Sequence, residues 1–81
     1  MYFVYILQSL SDNKFYVGMT NDLDRRIKQH NSGRVDSTRN RIPFKLIHSE
    51  TLSNSIEARK KEKYYKSGIG REFIKNVLLN Q

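Results

Sequence analysis

Read from its N-terminus, the chain opens on an apolar run, Tyr2 to Leu7, rich in aromatic and β-branched side chains. Such a run, closed by turn residues, is the pattern of a strand buried on both faces. Ser11, Asp12 and Asn13 supply turn chemistry and Phe15 to Met19 reads as a second strand, so a β-hairpin is expected with Tyr5 and Tyr16 in mid-strand. The period then changes. Asn21 is the expected N-cap of a helix, with Asp24 three residues on in a capping-box relation and Asn31-Ser32-Gly33 as its end. Leu23 and Ile27 can pack on the sheet, while Arg26 and His30, also four apart, form a second stripe at the edge of that face.

Gly33 to Ile42 has no periodicity and reads as a basic loop. Pro43 to Thr51 is the third strand, with Phe44, Leu46 and His48 expected on one face and Lys45, Ile47 and Ser49 on the other. Ser53-Asn54-Ser55 offers N-caps for a helix through Lys66, closed by Ser67-Gly68; Ala58, Glu62 and Tyr65 at i, i+4, i+7 turn Glu62 inward among outward-facing cations. A last amphipathic helix, Arg71 to Leu79, is expected to carry Phe73, Ile74, Val77 and Leu78 on one side. The predicted order is β-β-α-β-α-α, an α+β arrangement.

Composition narrows the class. A chain of 81 residues builds one core and not two, so residues 1–81 are read as a single domain. An apolar share of 37% with nine Phe and Tyr favours a folded domain over a basic tail. Without Cys there is no disulfide framework or thiolate zinc site, which fits a reducing cytoplasm. The longest apolar run falls far short of the ~20 residues of a membrane span, and no positive segment precedes it, so neither anchor nor signal peptide is expected.

The formal charge of +7 is concentrated in two segments. Asn21 to Lys45 carries Arg25, Arg26, Lys28, Arg34, Arg39, Arg41 and Lys45 against three acids, and Arg59 to Lys75 carries seven cations against Glu62 and Glu72. Localised positive charge attracts nucleic acid by counterion release, although Lys-rich helix faces also serve simply as solvated surface.

Each candidate for chemistry has an ordinary structural explanation. Tyr5 and Tyr16 suit a core with surface hydroxyls, Arg26 a solvated helix, His30 a helix C-terminus favoured by the macrodipole, and Glu62 an i, i+4 pair with Lys66. Those explanations do not account for the combination. Two strand tyrosines, a glycine soon after the second, an Arg and a His on one helical stripe, and one inward Glu amid cations form a set suited to attack on a phosphodiester.

The set also has a known order. Phe3-Val4-Tyr5, then Tyr16-Val17-Gly18, then Asp22-Leu23-Asp24-Arg25-Arg26 with His30, Thr38-Arg39, and Glu57 to Glu62 resemble the GIY-YIG nuclease superfamily, in particular its small standalone bacterial members. The resemblance implies a three-stranded antiparallel sheet flanked by helices, and divalent-metal-dependent endonuclease cleavage of DNA, with Mg²⁺ or Mn²⁺ as the cofactor. Position by position it implies Tyr5 and Tyr16 as the motif tyrosines, Gly18 as the motif glycine, Arg26 as the helix arginine, His30 as the histidine one turn on, and Glu62 as the metal ligand. Phe3 and Val4 depart from the first motif's glycine and isoleucine, and Asn76 and Asn80 are both candidates for the asparagine some members place near the site, with the motif choosing neither.

The residues agree chemically with those roles. One carboxylate suits Mg²⁺, Arg26 can grip a phosphate through two donors, and either tyrosine could take a proton from water once nearby positive charge lowers its pKa. Arg25, Arg34, Arg39, Arg41 and Lys45 are the expected DNA contacts. With no room for an attached binding domain, specificity must come from the basic loop and segments, from self-association or from a partner protein. A non-catalytic nucleic-acid-binding protein that keeps the fold is the alternative, and an RNA-assembly protein is disfavoured because its aromatic residues would have to leave the predicted strands.

Overall fold

A computed structural model describes residues 1–78. Its elements are β1 (Tyr2–Ser9), β2 (Phe15–Thr20), α1 (Leu23–Asn31), a 3₁₀ turn (Arg39–Arg41), β3 (Phe44–Leu52), α2 (Ser55–Lys66), α3 (Gly68–Phe73) and a π-helical turn (Ile74–Leu78). The three strands form one antiparallel sheet in the order β2-β1-β3. β1 is therefore central, which is why its run from Val4 to Leu7 is apolar without alternation and buried throughout.

Two clusters form on the two faces of β1. Val4 and Ile6 pack with Val17, Ala58, Tyr65 and Ile74, joining α2 and the C-terminal turn to one face. Tyr5 and Leu7 pack with Phe44, Tyr16, Leu23 and Ile27, joining α1 to the other. Each fully buried aliphatic side chain contributes about 1.5–3 kcal/mol of transfer free energy.

Three expectations need correction. The N-cap of α1 is Asp22, not Asn21: Asp22 has extended backbone and its carboxylate accepts from the Arg25 amide at 3.1 Å. In the third strand, His48 does not share a face with Phe44 and Leu46. A β-bulge interrupts the register between Ile6 and Leu7, so Leu7 lies opposite Leu46 while Ile6 lies opposite His48, and Ile47 is the extra residue. Beyond the bulge the parity of the strand is inverted: Ser49 shares the face of Tyr5, and His48 and Glu50 join the α2 side. Lys45, opposite Gln8, also lies on the α2 side.

The last helix begins at Gly68, three residues before Arg71, because the Ser67 hydroxyl caps it by accepting from the Gly70 amide at 3.2 Å. Ile74 is buried and Val77 is exposed, so Val77 does not belong to the apolar side. Leu79 and Asn80 lie outside the described residues.

On the α2 face a polar cluster ties β3 to the helix. The Tyr65 hydroxyl donates to the Glu50 carboxylate, His48 Nε2 lies 2.9 Å from it, and Lys61 Nζ is 3.6 Å away. Burial pushes the Glu50 carboxyl up, but the Tyr65, His48 and Lys61 contacts outweigh it and hold the group below the usual carboxylate range. Burial, followed by the Glu50 contact, raises the Tyr65 phenol.

Candidate active site

The site grows from one pair in the sheet. Tyr5 and Gly18 are cross-strand partners, and the Tyr5 ring lies across Gly18. A Cβ added at Gly18 would stand 2.5 Å from Tyr5 Cζ and closer still to the hydroxyl oxygen. Glycine is thus required here by the aromatic ring that occupies the place of its side chain. The ring is 1% exposed, so its hydroxyl must find a partner inside the protein.

That partner is His30. Its Nε2 lies 2.9 Å from the Tyr5 oxygen, and its Nδ1 lies 2.8 Å from the Thr38 hydroxyl, whose own proton is taken by the Val35 carbonyl at 3.4 Å. The chain of donors then has one direction: Tyr5 O–H to Nε2, Nδ1–H to Thr38, and Thr38 O–H to backbone. His30 is fully buried, and burial, assisted by the Arg26 charge, lowers its pKa to about 4. It is therefore a neutral acceptor at neutral pH, not the cation at a helix C-terminus that the macrodipole favours.

Arg26, one turn earlier on α1, donates to Gln29 Oε1 at 3.1 Å, and its guanidinium lies beside the Tyr5 oxygen. Burial raises the Tyr5 phenol, and Tyr16 and Glu62 raise it further, whereas Arg26 opposes them; the net shift is upward. Tyr16 completes the aromatic group, with its ring centroid 4.9 Å from that of His30 and 6.4 Å from that of Tyr5. Unlike Tyr5 it is only half-buried and lines an open cavity with Phe15, Lys66 and Arg71.

Glu62 is near enough to Tyr5 to act on its pKa. Its side chain is 17% exposed and pairs with Lys66 at 3.3 Å, so the inward turn and the i, i+4 pair are both present. Among the described residues no three His, Cys, Asp or Glu side chains form a metal-binding group. The donor set at Glu62 is one carboxylate, which fits a hard divalent ion that keeps most of its waters and completes its shell with phosphate oxygens. Glu62 is the residue that would hold such an ion.

The five basic residues expected to contact DNA separate. Arg25 and Arg34 line an open depression with Lys28 beside α1. Arg39 is exposed and pairs with Asp36. Arg41 is built into the scaffold: Nε donates to Asp12 at 2.9 Å, a terminal nitrogen to the Phe15 carbonyl at 3.4 Å, and the guanidinium sits over the Phe44 ring. Lys45 lies on the face away from Tyr5. Sequence reasoning missed Thr38 as the partner of His30 and Asn31 as a clamp, whose side chain accepts from the Phe44 amide at 2.7 Å and donates to its carbonyl at 3.1 Å. Adjacency to His30 was the only signal for Asn31.

The chain is also similar to known proteins. Residues 1–72 match the GIY-YIG catalytic domain. A UPF0213 protein, YsiG, of Lactococcus lactis subsp. lactis (strain IL1403) is 39% identical over 85 residues, covering 99% of this chain and 81% of that protein. A UPF0213 protein of Clostridium perfringens (strain 13 / Type A) is 45% identical over 67 residues, covering 82% of this chain and 71% of that protein. The solution NMR structure of a UPF0213 protein from Bacillus halodurans superposes with a TM-score of 0.57 at 37% identity, over 95% of this chain and 85% of that one. Motif residues, fold and relatives agree, and the chain belongs to the GIY-YIG catalytic domain family.

Proposed function

We propose that this domain is an endonuclease that hydrolyses DNA phosphodiester bonds with the help of a divalent ion at Glu62. Membership of the GIY-YIG family implies nuclease-type activity, and such nucleases generally use a divalent metal. The observation that carries the finer reading is the gathering of Tyr16, Arg26 and His30 around Tyr5, with Glu62 within electrostatic reach of the Tyr5 oxygen.

Exposure divides the tyrosines. Tyr5 is enclosed, donates to His30 and has a raised pKa, so it suits a fixed role, holding the Arg26 side of the site in place. Tyr16 opens onto the cavity that substrate can enter and is the tyrosine assigned to take the proton from the attacking water. Arg26 spends one donor on Gln29 and keeps others of its fork for the scissile phosphate, where charge grows as the bond breaks. His30 positions Tyr5 as a neutral acceptor. Bound at Glu62, Mg²⁺ or Mn²⁺ supplies Lewis-acid polarisation of the phosphoryl group.

Incubation of the protein with linear, branched and single-stranded DNA tests the reading, with Mg²⁺ or Mn²⁺ or with chelator. Wild type is expected to cut only with metal, and Glu62→Ala and Arg26→Ala each to lose about 10²-fold or more in rate, the usual effect of removing a charge-stabilising group. Absence of cutting by wild type, or cutting by the variants at the wild-type rate, overturns it.

A further inference from the structure

The open cavity at Tyr16 does not end at the site. It has a volume of about 210 Å³ and is lined by Phe15, Tyr16, Lys66 and Arg71. Through Phe15 and Arg71 it continues into a second depression of about 390 Å³ that adds Lys14 and Lys75. The two form one groove along β2, one of the two edge strands of the sheet. Four cations and no carboxylate line it, and among the described residues Lys14, Arg71 and Lys75 take part in no ion pair. Lys66, paired with Glu62, joins the groove to the site.

Beside α1 lies a different depression, about 330 Å³, lined by Arg25, Lys28, Gln29, Ser32 and Arg34. Gln29 receives the Arg26 hydrogen bond, so this basic surface also adjoins the site. It has no aromatic residue. Cations alone suit the phosphates of any duplex, whereas aromatic rings among cations suit bases, and bases offer their faces only where they are unpaired.

We propose that the substrate is a junction: paired DNA rests on the α1 side, and the strand leaving the site runs unpaired through the β2 groove, its bases against Phe15 and Tyr16 and its phosphates against Lys14, Arg71 and Lys75. The proposal rests on the nuclease reading for the identity of the site between the two surfaces. It also gives the cations of the two depressions separate tasks, Arg25, Lys28 and Arg34 on the paired arm and Lys14, Arg71 and Lys75 on the unpaired one.

Fluorescence anisotropy in chelator separates binding from cutting. The probes are a single-stranded oligonucleotide, a blunt duplex, a duplex with an unpaired tail, and the same duplex with an abasic tail. The groove variant is Lys14→Ala/Arg71→Ala/Lys75→Ala. The control removes three charges from the solvent face of α2, as Arg59→Ala/Lys60→Ala/Lys63→Ala.

Wild type is expected to bind the tailed duplex tightest and the abasic tail at least about fivefold more weakly, from the stacking of even one base. The groove variant should bind tailed and blunt duplex alike, with the log–log salt slope on the tailed probe reduced by about 2, three single-strand phosphate contacts at about 0.7 each. The control should keep the preference for the tail. Equal behaviour of groove variant and control on tailed DNA overturns the proposal. So does wild-type affinity that ignores the bases of the tail, or a groove variant whose loss is as large on blunt duplex. If the triple variant does not fold, Arg71→Gln reads the same comparison with a slope change of about 0.7. A protein that cuts DNA but ignores the groove substitutions refutes only the junction; one that binds through the groove but never cuts refutes only the nuclease.

Discussion

Acid should destabilise this domain through His30 well before its carboxylates protonate. The imidazole is fully buried between Tyr5 and Thr38, and its pKa falls from 6.5 to about 4. Between those values the unfolded chain binds a proton that the native state refuses, so stability rises with pH there. The contribution is fully present above pH 6.5 and is lost as pH falls towards 4. Each tenfold difference in proton affinity between the folded and unfolded imidazole is worth about 1.4 kcal/mol, so the whole loss is about 3 kcal/mol, of which about 2 kcal/mol is gone between pH 7 and pH 5. Asp12 and Glu50, both held below their ordinary values, add losses only in the carboxylate range lower down.

Urea unfolding at half-unit steps of pH measures this. With a slope near 1 kcal/mol/M for a domain of this size, the midpoint should move by about 2 M between pH 7 and pH 5. His30→Gln keeps hydrogen-bonding groups but does not titrate, and its stability should be lower at pH 7 and flat across the same window. An NMR titration of the His30 ring gives the native pKa directly. A wild-type midpoint that stays constant from pH 7 to pH 5, or an equal fall in His30→Gln, refutes the reasoning.

Two further substitutions test the scaffold. Gly18→Ala places a methyl group 2.5 Å from Tyr5 Cζ, an overpacking worth about 1–3 kcal/mol, read as a fall in Tm of about 4–8 °C per kcal/mol. In a Tyr5→Leu background the same change should be nearly neutral, and an unchanged penalty there would deny the collision. Asn31→Ala removes both hydrogen bonds to the Phe44 backbone and should lower stability by about 1–3 kcal/mol in urea unfolding, with chemical-shift changes centred on His30 and Phe44; shifts confined to the α1 surface would contradict the clamp.

Much of this was legible because the chemistry is coupled to local periodicity. Strand patterning put Tyr5 and Tyr16 in mid-strand, a four-residue spacing put Arg26 and His30 on one stripe, and Ala58, Glu62 and Tyr65 share one side of α2. The capping residue of α1 was not legible: Asn21 and Asp22 are both competent caps, and the extended backbone at Asp22 decides between them. The true partner of His30 was hidden for a different reason. Thr38 lies eight residues away across a loop without period, and only the return of the chain to β3 brings its hydroxyl inward. The groove was less visible still, since Lys14 and Arg71 sit at opposite ends of the sequence and meet only because α3 packs back towards β2. The charge of Arg41 suggested a contact with DNA; its bonds to Asp12 and Phe15 and its place over the Phe44 ring, which the sequence did not show, also make it a strut.

The bulge at Ile47 decides which charged side chains of β3 share the sheet face of Tyr5. If β3 kept an unbroken ladder past Leu46, with Ile47 paired to Ile6, His48 would stand opposite Tyr5 and Glu50 opposite Phe3, both on the sheet face that carries Tyr5. A second carboxylate would then lie on the face of Tyr5, and the candidate site would no longer hold a single acid. The shift of register at Ile47 puts that acid on the other side of the sheet, where it accepts from Tyr65, pairs with Lys61 and ties α2 to β3. The bulge is in effect a sorting step for one charge: it keeps the Glu50 carboxylate off the face of Tyr5 and sets it as mortar between β3 and α2.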